Sequence, residues 1–113
     1  LIPEEDASKI QKLISAAAEG NVERIKRLVS QGVNLESCDY DGRTSLHLAA
    51  ANGRVEVVKY LVANGVNKET KDRWDNTPYD EANKISTGIL PSEEKSPYNK
   101  ICRILVNKAD NSK

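Results

Sequence analysis

The chain has no phenylalanine and no methionine, and aromatic residues make up only 4% of its 113 positions. A core drawn from this set has to come from Ala, Val, Leu and Ile, which suits helices that stack closely over small side chains. No apolar stretch approaches the roughly 20 residues a helix needs to cross a bilayer, and no secretory signal pattern opens the sequence. Cys38 and Cys102 are too few and too far apart for a disulfide framework. They read as two unbridged thiols in a reducing intracellular compartment, the cytoplasm. Net charge is lacking as well. Seventeen basic residues cancel seventeen acidic ones, so the positive field of a nucleic-acid or anionic-membrane binder is missing. With no methionine there is no initiator, and the chain is expected to be processed or to belong to something longer.

What the sequence does hold is a period. Thirty-three residues separate Gly20 from Gly53, Gly32 from Gly65 and Asp39 from Asp72. A fixed interval of this size marks a stacked repeat. Read in order, Asp6 or Ser8 is a candidate cap for a helix through about Glu19, whose Ile10, Leu13, Ile14 and Ala17 follow helical spacing. Gly20 ends it, and Asn21 caps a second helix carrying Val22, Ile25, Leu28 and Val29. An extended finger then runs from Leu35 to Arg43 and turns at Tyr40-Asp41-Gly42. Helix A of the central unit follows from Thr44 to about Asn52. Its helix B, about Val55 to Ala63, is expected to turn Val55, Val58, Leu61 and Val62 inward and Glu56 and Lys59 outward. The next finger is Lys71 to Asn76, and Thr77-Pro78-Tyr79-Asp80 reads as a helix start. After that the register slips. Val58 and Leu61 find their counterparts at Cys102 and Leu105, which implies about eleven extra residues in the segment 86–97, a stretch of loop composition.

The central wording, Gly42-Arg43-Thr44-Ser45-Leu46-His47-Leu48-Ala49-Ala50 followed by Gly53, Val55, Val57, Val58, Leu61 and Val62, resembles the ankyrin repeat, with Ser45 in place of the usual Pro. The resemblance implies an all-α solenoid of about three helix-turn-helix repeats with finger loops. Repeat 1 would span about 6–38, repeat 2 about 39–71, and repeat 3 about 72–110 with the inserted loop about 86–97. The finger wording Lys71-Asp72-Arg73-Trp74-Asp75-Asn76-Thr77-Pro78, with Asp80-Glu81-Ala82, is similar to the C-terminal ankyrin segment of kidney-type glutaminases. It is also similar to the repeats of plant ankyrin kinases and potassium channels. In those proteins the repeats are appended to an activity located elsewhere, so a regulatory or assembly role stands beside that of a protein-binding module.

Few residues are candidates for chemistry. His47 is the single histidine, and the resemblance implies that it ties the helix start to the finger through Thr44 and backbone groups. Asp80 takes its place in the third repeat. Two thiols and one imidazole do not make a zinc site, and no glycine-rich phosphate loop exists. No catalytic residue, metal, cofactor or small-molecule substrate is expected. The resemblance instead implies a concave groove for a protein partner, formed by Tyr40, Asp41, Arg43, Ala51 and Asn52 beside Arg73, Trp74, Asn76 and Lys84. Trp74 and Tyr40 have a second reading as side chains packed against adjacent fingers. The insert, with Ser96-Pro97, reads as a specificity loop, a phosphorylation site or a tolerated surface insertion.

Overall fold

In the computed structural model, residues 4–86 and 97–106 are described. They form six helices: α1 (Glu4–Glu19), α2 (Val22–Ser30), α3 (Ser45–Ala51), α4 (Val55–Ala63), α5 (Pro78–Ser86) and α6 (Pro97–Val106). No strand occurs among the described residues, only an isolated antiparallel bridge between Cys38 and Thr44 at the base of a finger. The helices pair in sequence as α1 with α2, α3 with α4 and α5 with α6. One layer is built by α1, α3 and α5 side by side, the other by α2, α4 and α6.

Small side chains set the spacing of the first layer. Ala16 and Ala17 on α1, Ala49 and Ala50 on α3, and Ala82 on α5 are all fully buried. Larger aliphatic residues, Leu13, Ile25, Leu46, Leu61 and Ile101 among them, fill the space between the layers in one continuous core. On α4 the buried positions are Val57, Val58 and Leu61, while Val55 and Val62 are half-buried. The inward face is therefore rotated from the expected one, because α4 must cover both α3 and α6. Glu56 and Lys59 point outward and pair at 3.9 Å. Tyr79, in the slot of Leu46, packs half-buried against the core.

Helix α1 begins at Glu4, ahead of the expected caps, so Asp6 and Ser8 lie within the helix. The other helix starts follow the sequence closely. Asn21 accepts the Arg24 N–H, and Thr44 caps α3. Thr77 and Asp80 form a reciprocal pair, with the Thr77 N–H donating to Asp80 Oδ2 at 2.9 Å and the Asp80 N–H to Thr77 Oγ1 at 3.2 Å. The extra residues of the last unit leave a geometric trace. Arg54 stands over Gly20, and Tyr98, forty-four positions further on, stands over Gly53, where an added Cβ would lie 3.1 Å from the phenol ring. Of the expected insert, Ser86 ends α5 and Pro97 begins α6; residues 87–96, including Ser96, and the end of the expected third repeat, 107–110, lie outside the described residues. No described helix is long and apolar enough to cross a membrane. No disulfide joins exposed Cys38 to half-buried Cys102.

Candidate functional site

The fingers are built on one device used twice. Asp39 Oδ1 accepts the backbone N–H groups of Asp41 and Arg43, both at 2.9 Å. Thirty-three residues later Asp72 Oδ1 accepts those of Trp74 and Asn76, again at 2.9 Å. Each aspartate thereby satisfies the donors of its own turn. Numbered by the repeat that each introduces, the second finger (Leu35 to Arg43) has its left-handed residue at Gly42 (φ 75°), and the third (Lys71 to Asn76) at Asp75 (φ 67°), a residue type that tolerates this conformation. The two fingers are joined by the Arg73 N–H, which donates to the Asp41 carbonyl at 2.8 Å.

His47 fixes the fingers to the helices. It is 1% exposed, and its Nε2 lies 2.8 Å from the carbonyl oxygen of Asn76 in the next finger. A carbonyl only accepts, so Nε2 carries the hydrogen and Nδ1 is the acceptor, facing the Thr44 N–H at 3.2 Å and hydroxyl at 2.9 Å. Both ring nitrogens are thus engaged in structure, and neither is open to a substrate. Asp80 reproduces the cap of α5 but reaches no further finger. Among the described residues, no group of three His, Cys, Asp or Glu side chains could hold a metal.

Between the fingers and the helices lies a groove of about 380 Å³. Its finger wall is Arg43, Asp72, Trp74 and Asn76; its helix wall is Leu48 and Ala51 from α3, with Glu81 and Lys84 from α5 and the edge of His47. Five of the nine expected groove residues, Arg43, Ala51, Trp74, Asn76 and Lys84, meet here. The other four do not line it. Tyr40 is fully exposed at the finger tip, so it packs against no neighbouring finger. Asn52 caps α3, with its side-chain amide donating to the Leu48 carbonyl. Asp41 is shared between two arginines, 3.3 Å from Arg43 and 3.0 Å from Arg73, and Arg73 also lies over the Trp74 ring at 5.4 Å. Trp74 is 58% exposed, and Arg73, its own neighbour, covers part of its ring.

Sequence reasoning missed His47, Leu48, Asp72 and Glu81 as groove residues. Asp72 is the notable one. It is buried, and its Oδ2 has no hydrogen-bond partner. Leaving such an atom unmet costs about 1 to 3 kcal/mol or more in a folded protein. The signal was present in the period, because aligning the two fingers sets Arg43 against Asn76 and leaves the second aspartate without its arginine.

Residues 2–72 match the family described as ankyrin repeats in three copies. The chain belongs to the ankyrin repeat family. Ankyrin repeats are generally protein-interaction modules. The turn at Asp72 and helices α5 and α6 carry the ankyrin architecture beyond the matched span. The chain is 37% identical over 120 aligned residues to the potassium channel SKOR of Arabidopsis thaliana, covering 89% of this chain and 14% of that protein. To the serine/threonine-protein kinase 12 of the same plant it is 38% identical, over 69% of this chain and 18% of the kinase. An L-asparaginase of Dirofilaria immitis is 42% identical over 71% of this chain and 14% of its own length. This ankyrin chain therefore spans less than a fifth of each of these relatives.

Proposed function

We propose that the chain is a non-enzymatic docking module whose concave groove between the fingers and the helices receives a protein partner. The observation that carries this is the 58% exposed Trp74 on the wall of a 380 Å³ groove whose floor is helical and rigid. Trp and Arg are among the residue types that dominate binding hot spots. A preformed groove also loses little ordering entropy on binding, so a few side chains can set specificity. Chemistry has no foothold in it, since its single imidazole is tied to Thr44 and Asn76.

The double substitution Arg73→Ala with Trp74→Ala tests this reading. Affinity for a captured partner is expected to fall at least about tenfold. The melting temperature should hold, because both residues are exposed and the Arg73–Asp41 ion pair is a surface one, worth about 0 to 1 kcal/mol. Unchanged affinity, or loss of fold together with binding, contradicts it.

A second reading is favoured by the relatives: a potassium channel, a kinase and an L-asparaginase, each much longer than this chain. Here the module regulates or assembles a larger enzyme or channel, and the segment in the groove belongs to that same protein. Identifying the polypeptide cross-linked to the groove separates the two readings, as a different protein supports the first and a segment of the same chain the second.

A further inference from the structure

The two fingers share a turn but differ at one oxygen. In the second finger the chain's own Arg43 closes on Asp39, with Nε and Nη2 each 3.3 Å from Oδ2. In the third finger the equivalent position is Asn76, and Oδ2 of Asp72 has neither a hydrogen-bond partner nor contact with solvent, in a residue only 7% exposed. Buried carboxylate oxygens almost always have a donor. Asp72 lines the groove together with Trp74 and Glu81. Of the charged side chains on the lining, Arg43 pairs with Asp39 and Asp41 at 3.3 Å and Lys84 with Glu81 at 3.7 Å, whereas Asp72 makes no ion pair among the described residues.

We propose that Asp72 is the receptor for an arginine of the partner, whose guanidinium takes in the third finger the position that Arg43 takes in the second. The proposal rests on the groove being a docking site and adds what the groove reads. A guanidinium meets both demands of the place. It brings charge-assisted donors to a carboxylate oxygen, and its flat face stacks on an indole. Arg73 already lies 5.4 Å from that ring, so the chain itself uses this stacking once. Trp74, the exposed part of the wall, is the side chain that yields to admit the incoming group.

The test is a titration of the isotope-labelled full chain, followed by amide resonances, with the peptide acetyl-Gly-Arg-Gly-amide and its neutral citrulline counterpart. Saturable shifts at Asp72, Trp74 and Asn76 are expected with the arginine peptide, and affinity at least about tenfold weaker with citrulline, which keeps the shape and loses the charge. The substitution Asn76→Arg supplies the missing donor from within. It is expected to raise the melting temperature and abolish the peptide shifts. Absence of saturable shifts, equal affinity for the two peptides, or full arginine-peptide affinity in a folded Asn76→Arg variant would overturn the proposal. Should that variant fail to fold, the comparison of the two peptides on the unaltered chain decides alone. A partner whose affinity falls with Trp74→Ala but not with Asn76→Arg leaves the docking reading standing and removes the arginine.

Discussion

At the scale of the residue, His47 joins three structural units with one ring: its own helix cap, the base of its finger and the carbonyl of the next finger. His47→Ala leaves the Asn76 carbonyl without its histidine donor and the Thr44 cap without its return bond. We expect a loss of about 2 to 3 kcal/mol in urea denaturation; a loss below about 0.5 kcal/mol, the size of an ordinary surface change, would contradict this role. The glycines of the fingers and helix ends divide by crowding as well as by backbone angle. Gly65 sits at φ 80° in open space, whereas a Cβ on Gly42, at φ 75°, would lie 3.3 Å from the Asp72 Cα and 3.4 Å from the Arg73 nitrogen. Gly65→Ala should cost about 1 to 2 kcal/mol through the backbone angle alone. Gly42→Ala should cost about 1 kcal/mol or more beyond that, because rigid backbone of the next finger cannot give way. Equal midpoints for the two variants would mean that the fingers are not stacked as described.

At the scale of the element, the helix pairs stand or fall by their shared core. Leu61 is fully buried on α4, in the continuous cluster that also holds Leu46 and Ile101. Leu61→Ala is expected to cost about 2 to 5 kcal/mol, read from the denaturation midpoint. An unchanged midpoint would place Leu61 outside the core. Helices and caps were legible in the sequence because their causes are local: Asn21, Thr44 and the Thr77–Asp80 pair each satisfy donors within a few residues of themselves. The face of α4 was less legible. Val55, Val57, Val58 and Val62 are equally apolar, and only contact with α3 on one side and α6 on the other decides that Val57 is buried and Val55 half-exposed. The groove was legible where it follows the period, as at Arg43 and Trp74. It was illegible at Asp72, where what matters is the failure of one residue pair to repeat.

At the scale of the molecule, the stack is short. A solenoid of this size has few interfaces over which to spread its stability, and the third unit lacks the histidine that pins the second. Residues of α5 and α6, Ala82, Ile101 and Leu105, cover core that α3 and α4 would otherwise leave wet. A chain ending at Lys71 is therefore expected to show no cooperative thermal transition by circular dichroism. A sharp transition at the midpoint of the whole chain would mean that the third unit contributes nothing to the core. The function proposed for the chain lies, at this scale, in the concave face where fingers and helix layer meet.

Site-specific photo-crosslinking in the source cell tests that placement most directly. A photoreactive amino acid is introduced either at Lys84, on the helix wall of the groove, or at Lys59, on the outward face of α4. The account predicts a discrete cross-linked product from position 84, lost when Trp74 is replaced by Ala, and none from position 59. The same product from both positions, or from position 59 alone, would contradict it.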